Sequence, residues 1–264
     1  MQAAETARSA DRPTNDLTAY DLYLRAHAMY LSARQIPEAL RLFEQAIERD
    51  PRYGPALAWA AVCCNRLHFD GRSGDPEADA LKGVDYARRA LEVGGDDPGI
   101  LGNAALALAY FGEDIGAMMA LVDRALALNP NYARGWHISG VLRMNAGQPE
   151  IAIEHEKTSL RLSPRARVGV SLSVIGAARF LSRRFDEAAP KLLLAIQEDP
   201  SHPQACRYLA ACYAHMGRLD AAREIIERLR AITPLVVPNA SFLRNPEHRE
   251  LFLSGLRLAM GEAS

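Results

Sequence analysis

The chain has 264 residues, and 31 Lys and Arg against 32 Asp and Glu leave a formal net charge of −1. That balance argues against a broad nucleic-acid-binding surface, which needs a basic excess, so we expect no direct nucleic-acid partner. Four cysteines are too few for a disulfide scaffold of this length, and none of their spacings is typical of a zinc site. We therefore expect a reduced, cytoplasmic protein without a metal or another cofactor. Its low aromatic content of 7% and its many alanines favour an all-α fold.

The N-terminal residues 1–16 are polar and contain several acids, which predicts a disordered tail or linker rather than a signal peptide. Further along the chain, the most apolar runs are 101–111 and 168–178. Both runs are too short to cross a bilayer as a helix, so we expect no membrane partner.

Regularly spaced prolines are the main signal in the rest of the sequence. Pro130, Pro164, Pro200 and Pro234 follow one another at intervals of 34, 36 and 34 residues, and Pro51 lies 79 residues before the first of them. Each proline ends an amphipathic segment, and a proline in this position stops a helix. A period of 34 residues predicts an array of helical hairpins.

With this spacing, the sequence resembles the tetratricopeptide repeat (TPR) family. The family pattern has a large residue at position 4, small residues at 8, 20 and 27, a large apolar residue at 24, and proline at 32. The fourth unit gives Trp136, Gly140, Ala152 and Pro164 at positions 4, 8, 20 and 32. In the first unit Phe43 stands at position 24, and in the fifth unit Leu192 does.

The resemblance implies a right-handed superhelical α-solenoid of about six helix-turn-helix units with an open concave groove. The array spans 17–234, and the predicted units are 20–53, 54–97, 98–132, 133–166, 169–202 and 203–234. Residues 235–264 follow as a C-terminal extension. Within it, Asn245-Pro246-Glu247 has the residues of a helix start, which predicts a helix that covers the last unit.

The second unit is about ten residues longer than the others, and the extra residues lie within 65–79. Glycine and proline are dense at 68–76, which predicts a loop. Two interpretations stay open for it. The loop is either a contact loop for a partner or a surface insertion that the fold tolerates at little cost.

No enzyme signature is present among the nucleotide-binding, metalloprotease and hydrolase motifs. Catalysis on an unfamiliar site would need convergent titratable groups in a closed pocket, which an open solenoid seldom offers. We therefore predict that the protein is not an enzyme and has no catalytic or metal-binding residues.

The TPR resemblance also implies which side chains face the groove, since certain positions of each first helix do so in the family. Among them Arg, His, Asn and aromatic side chains predominate, which suits an extended peptide with an acidic or carboxylate group. The predicted partner-binding residues are Arg25, Trp59, Arg66, Asn103, Tyr110, Arg134, His137, Arg207, Tyr208 and His215.

Two segments narrow the resemblance. Residues 17–26 (LTAYDLYLRA) and 242–249 (FLRNPEHR) look like the TPR region at the C-terminal end of proteobacterial class III adenylate cyclases and of winged-helix transcription regulators. This resemblance implies a bacterial signalling protein in which the repeats regulate an effector domain. We therefore expect a non-catalytic scaffold that binds a peptide or a partner domain. The alternative is a self-associating module that forms a homodimer through its C-terminal helix or its groove.

Overall fold

The structure is a computed structural model that describes residues 14, 16–30, 35–165 and 168–262. The predicted disordered tail therefore lies outside the described residues, apart from Thr14 and Asp16. The described residues form thirteen α-helices and contain no β-strand, which confirms the all-α solenoid prediction. The helices are α1 Leu17–Met29, α2 Ile36–Arg49, α3 Gly54–Phe69, α4 Pro76–Gly94, α5 Pro98–Tyr110, α6 Ile115–Leu128, α7 Ala133–Asn145, α8 Pro149–Leu162, α9 Val168–Leu181, α10 Phe185–Glu198, α11 Pro203–His215, α12 Leu219–Ile232 and α13 Pro246–Met260.

The first twelve helices form six consecutive pairs, and each pair packs on the next. The second helices α2, α10 and α12 are amphipathic, with one buried face and one charged face. In contrast, first helices such as α3, α5 and α11 are buried on nearly every side. A helix that is apolar all round must be covered on every face. The first helices therefore lie between the second helices and the interior of the curve.

Small residues allow the two helices of a pair to approach each other closely. A methyl group on Gly140 of α7 would lie 2.9 Å from Oε1 of Glu156 on α8. In the next pair, a methyl group on Gly176 would lie 2.6 Å from Cγ of Leu192. These glycines occupy the positions where the repeat pattern predicted small residues.

The predicted long loop at 68–76 is shorter in the structure, because α3 continues to Phe69 and α4 begins at Pro76. The rest of the additional length is helical, so α3 and α4 have 16 and 19 residues. Asp70 at the start of the loop is only 4% exposed. Residues 74–76 at the other end of the loop are exposed. The choice between a contact loop for a partner and a tolerated surface insertion therefore stays open, but the start of the loop contacts another part of the same chain.

That other part is the segment after α12. The Thr233 hydroxyl donates a hydrogen bond to the Asp70 backbone carbonyl, and Arg72 Nη2 donates to the Ile232 carbonyl at 2.8 Å. Leu235 packs on Gly71, where an added methyl group would lie 2.5 Å from its Cβ. The sixth pair is thus joined directly to the second.

The same segment continues across the third and fourth pairs. The Phe242 ring lies 4.8 Å from the Phe69 ring and 5.8 Å from the Tyr110 ring. Arg244 donates from Nη2 to the Ala109 carbonyl at 2.7 Å and from its backbone N–H to the Asn145 carbonyl at 2.8 Å. We call residues 233–245 the bridge segment. It crosses part of the concave face, so that part is covered rather than open as the sequence predicted.

After the bridge segment, α13 packs mainly on α11 and also on α12, as the predicted covering helix would. Its start is confirmed, because the Asn245 side chain accepts hydrogen bonds from the backbone N–H groups of Glu247 and His248. The apolar side of α13 is buried, and Leu251, Phe252 and Leu256 are at most 6% exposed.

Candidate functional site

A central cavity lies where the first helices of the second to sixth pairs meet Tyr30, the residue after α1, on the concave side. Its volume is about 130 Å³. Val62, Leu106, Val141, Met144 and Val174 give it an apolar wall, and these side chains come from α3, α5, α7 and α9. Because a single water needs only ~10–15 Å³ of such space, this cavity is far larger than a packing defect.

A second cavity of about 260 Å³ adjoins the first, and we call it the side cavity. The two share Tyr30, Arg134, His137 and Val170 in their walls. The side cavity is otherwise lined by aromatic and small side chains, namely His27, Trp59, Ala133, Ser159, Ser163 and Ser171. Together the two cavities form one candidate binding chamber.

Arg134 lies in the wall between the two cavities and is held in a fixed position. Its Nε donates a hydrogen bond to Oδ1 of Asn103 at 2.8 Å, and its guanidinium carbon lies 4.3 Å from the centre of the Trp59 ring. The Tyr30 ring centre is 5.8 Å away. Among the described residues, the buried Nη2 atom has no hydrogen-bond partner. An oriented guanidinium with a free nitrogen is suited to bind an anion.

Arg66 is the second cation of the central cavity, but its charge already has a partner. Its Nε donates to Oδ2 of Asp70 at 2.9 Å, and the Asp70 side chain is 5% exposed. The ion pair therefore leaves little net charge on this side of the cavity. Arg134, whose hydrogen-bond acceptor Asn103 is neutral, contributes the uncompensated positive charge.

His137 lines both cavities, and a buried acid orients its ring. Its Nδ1 lies 2.9 Å from Oε1 of Glu156, which is fully buried. Burial raises the pKa of the Glu156 carboxyl, although His137 and Ser171 act in the opposite direction. Since Nδ1 is engaged by Glu156, Nε2 is the His137 nitrogen that is left for a ligand.

Glu156 was missed by the sequence analysis, although the repeat register contained a signal for it. It occupies position 24 of the fourth unit, where Phe43 and Leu192 stand in the first and fifth units. An acid at a core position of a repeat is rarely buried without a partner. That departure from the pattern points directly to the residue that orients His137.

The structure brings most of the predicted partner-binding residues together. The chamber walls include Trp59, Arg66, Tyr110, Arg134, His137 and Tyr208. Asn103 is 2% exposed and supports Arg134 from behind. Whether these residues bind a partner stays a prediction.

Three predicted groove residues lie elsewhere. Arg25 is exposed and lies 3.9 Å from Asp21 on the same helix, outside both cavities. Arg207 is fully buried, and its guanidinium donates hydrogen bonds to the carbonyls of Leu235 and Val236 at 2.5 and 3.2 Å.

Burial is also the main cause that lowers the pKa of Arg207, to about 10. His215 contacts the carbonyl of Leu251 through Nε2 at 2.8 Å. Arg207 and His215 therefore hold the bridge segment and α13. The family register identified residues on the concave side, but it could not show that this chain covers them itself.

Cysteine chemistry has no basis in the described structure. Cys63, Cys64, Cys206 and Cys212 are all buried and free. Burial raises the pKa of the Cys206 thiol to about 11 and that of the Cys212 thiol to about 12. A thiol that stays protonated at neutral pH is a poor nucleophile and a poor metal ligand.

No three His, Cys, Asp or Glu side chains among the described residues cluster in a way that could hold a metal ion. None of the described helices combines the length and the apolar character needed to cross a bilayer.

Comparisons with known proteins support the repeat assignment. The family model for the tetratricopeptide repeat matches residues 179–240. The cytochrome c-type biogenesis protein CycH of Rhizobium meliloti (strain 1021) is 27% identical over 137 residues. That alignment covers 51% of this chain and 35% of the relative, so the chain matches about a third of that protein.

Solved structures with a similar fold cover most of this chain. The Cut9–Hcn1 hetero-tetramer of the APC/C superposes with a TM-score of 0.60 and 18% identity, covering 86% of this chain and 46% of the other. PilW, a type IV pilus biogenesis factor, superposes with a TM-score of 0.56 and 19% identity, covering 82% of this chain and 94% of PilW. A thermophilic TPR protein of Thermus thermophilus, TTC0263, superposes with a TM-score of 0.54 and 18% identity, covering 80% of this chain and 99% of the other. The chain therefore has the all-α solenoid fold of these TPR proteins, and residues 179–240 match the repeat itself.

Proposed function

We propose that the chain is a non-catalytic protein-interaction scaffold that binds an extended peptide at its concave face. TPR proteins generally mediate protein–protein interactions, and the family model matches residues 179–240. Within that general role, the peptide places an acidic side chain or carboxylate against Arg134. The predicted absence of enzyme activity and the predicted cytoplasmic location belong to this proposal.

The position and the unmet bonding capacity of Arg134 carry the proposal. Trp59 and Asn103 fix its guanidinium, and the buried Nη2 has no partner among the described residues. A hydrogen bond to a charged group contributes about 1.5–3 kcal/mol, so one such contact is enough to discriminate between peptides. A further cavity beside the fifth pair adjoins this site, since Tyr30, Arg66, Val170 and His202 line both it and the central cavity.

A regulatory role in a signalling protein is the finer form of this proposal. It rests on the resemblance of 17–26 and 242–249 to the TPR regions of class III adenylate cyclases and winged-helix regulators. In this form, the peptide belongs to an effector domain.

Self-association through α13 is the weaker candidate. It needs exposed apolar residues on that helix, but Leu251, Phe252 and Leu256 pack inside the same chain. The outward side carries charged groups, including the exposed pair of Arg257 and Glu250. These features favour simple covering of the sixth pair over a dimer.

Selection from a random peptide library, followed by anisotropy titrations, tests the proposal. We expect the selected peptides to be acidic and Arg134→Ala to weaken their binding about 10- to 100-fold, the equivalent of about 1.5–3 kcal/mol. Arg25→Ala is the matched control, because Arg25 is an exposed arginine outside both cavities. Equal affinity of wild type and Arg134→Ala, at equal melting temperature, would reject the site.

A further inference from the structure

A peptide carboxylate at Arg134 would leave the apolar part of the binding chamber without an assigned occupant. The central and side cavities measure about 130 and 260 Å³ and share a wall. Sites for small molecules are typically concave and mostly apolar, with a few polar groups that fix the orientation of the ligand. The chamber matches this description, since valine, leucine and methionine side chains line it together with the oriented Arg134 guanidinium, which has no acidic partner.

Unsatisfied polar atoms mark where a ligand would make contact. Nη2 of Arg134 and the hydroxyl of Tyr208 are buried and have no hydrogen-bond partner among the described residues. Both side chains line the central cavity, and Tyr208 is only 1% exposed. Because buried polar groups are nearly always bonded, these two atoms in one cavity wall are available to bond a ligand.

The charge of the chamber limits what that partner can be. Arg66 is paired with Asp70, and the ring of His137 is engaged by Glu156. Among the arginines that line the chamber, Arg134 is therefore the one without an acidic partner, while the buried Arg207 lies outside the lining and donates to backbone carbonyls. This single positive charge matches one negative charge on a ligand. A dianion such as a phosphate monoester would leave a second charge without a partner among apolar walls, which is costly.

The shape of the wall determines the rest of the ligand. Arg134 reaches both cavities, while Val62, Leu106, Val141, Met144 and Val174 line the central cavity only. A hydrocarbon group that leaves the guanidinium towards this wall would be removed from water, and each buried methylene contributes ~0.8 kcal/mol.

We propose that the chamber binds a small organic monocarboxylic acid. Its carboxylate pairs with the Arg134 guanidinium, and its hydrocarbon tail lies in the central cavity. The acid uses the same Arg134 guanidinium as the proposed peptide but needs no peptide partner, and separate titrations with hexanoate and with peptides distinguish the two.

Calorimetric titration of the full chain with hexanoate tests the inference, with hexanamide as the neutral ligand of the same size. We expect saturable binding of hexanoate and binding of hexanamide that is at least about tenfold weaker, because the amide lacks the charge that pairs with Arg134. Two variants test the two halves of the site. Arg134→Ala removes the cation, and Val174→Phe fills the space for the tail.

Both variants should weaken hexanoate binding at least about tenfold, while Arg25→Ala should bind it like wild type. The melting temperature of each variant is measured first, so that loss of fold is not mistaken for loss of the site. The comparison of hexanoate with hexanamide on wild type keeps the test decisive if a variant fails to fold.

Equal affinity for hexanoate and hexanamide would overturn the proposal. So would an absence of saturation by about 10 mM, a weak limit for so small a ligand. If hexanoate binds as expected and no peptide does, the acid site stands and the peptide proposal fails. If a peptide binds and hexanoate does not, the peptide proposal stands and the acid site fails.

Discussion

At the scale of single residues, Glu156 stands out because an ionisable side chain occupies a fully buried core position. It is fully buried at a repeat position that carries Phe43 or Leu192 in other units, and His137 is 2.9 Å away. A buried acid without a bonding partner would be strongly destabilising, so the pair must be kept together. The result is a histidine with a fixed ring orientation in the wall of the chamber.

Glu156→Gln tests this arrangement through the pH dependence of stability. Because burial raises the pKa of Glu156, the folded chain holds this proton more tightly than the unfolded chain. The free energy of unfolding therefore falls as pH rises from the unfolded pKa through the folded one. Glutamine keeps an oxygen for His137 but does not ionise. The free energy of unfolding of the variant should therefore fall less than that of the wild type as pH rises.

Urea unfolding at a series of pH values between about 4 and 8 measures the effect. Glu154→Gln is the control on the same helix, since Glu154 is an exposed partner of Lys157. Parallel pH profiles for Glu156→Gln and wild type would show that the carboxyl keeps its ordinary pKa.

At the scale of the helices, sequence reasoning performed best where the repeat itself sets the structure. Proline spacing and small residues predicted the helical pairs, because each pair follows the same local packing pattern. The length of the loop after α3 was predicted too long, because glycine and proline density could not show that α3 would continue to Phe69. That extension places Phe69 against Phe242, a contact with a distant part of the chain.

Gly140→Ala tests the close approach of α7 and α8. The added methyl group would lie 2.9 Å from Oε1 of Glu156 and 3.2 Å from the Ala152 carbonyl oxygen. Alanine favours a helix over glycine by about 1 kcal/mol, but overpacking costs about 1–3 kcal/mol, so we expect a net loss of stability. Chemical denaturation measures it, and Gly74→Ala, with open space around the new methyl group, serves as control. A Gly140→Ala variant as stable as wild type would show that α7 and α8 are further apart.

At the scale of the whole molecule, the bridge segment changes how the array holds together. In a simple solenoid each repeat contacts only its neighbours, so distant units are coupled only through those between them. Here Thr233 and Asp70 are bonded although 163 positions separate them in the chain. The repeat pattern does not predict such a contact, because the bridge segment lies outside the repeats. This is why the sequence predicted an open groove, together with Arg207 and His215 as groove residues.

Phe242→Ala tests whether the bridge segment couples the two ends of the array. Phe242 is 2% exposed and packs against Phe69, Tyr110 and Phe252. Removing a buried phenyl ring costs about 3–5 kcal/mol of stability. If the segment acts as a bridge, hydrogen exchange should become faster in α3 and α5, which are distant in sequence, as well as in α11 and α13.

Hydrogen exchange with mass spectrometry measures each helix separately. Leu81→Ala is the control, because Leu81 is 74% exposed and its loss should change stability by at most about 0.5 kcal/mol. An increase confined to α11–α13 would mean that the bridge segment covers the second and third pairs without stabilising them. Faster exchange that also reaches α3 and α5 would show that the bridge segment stabilises the second and third pairs as well as the last one.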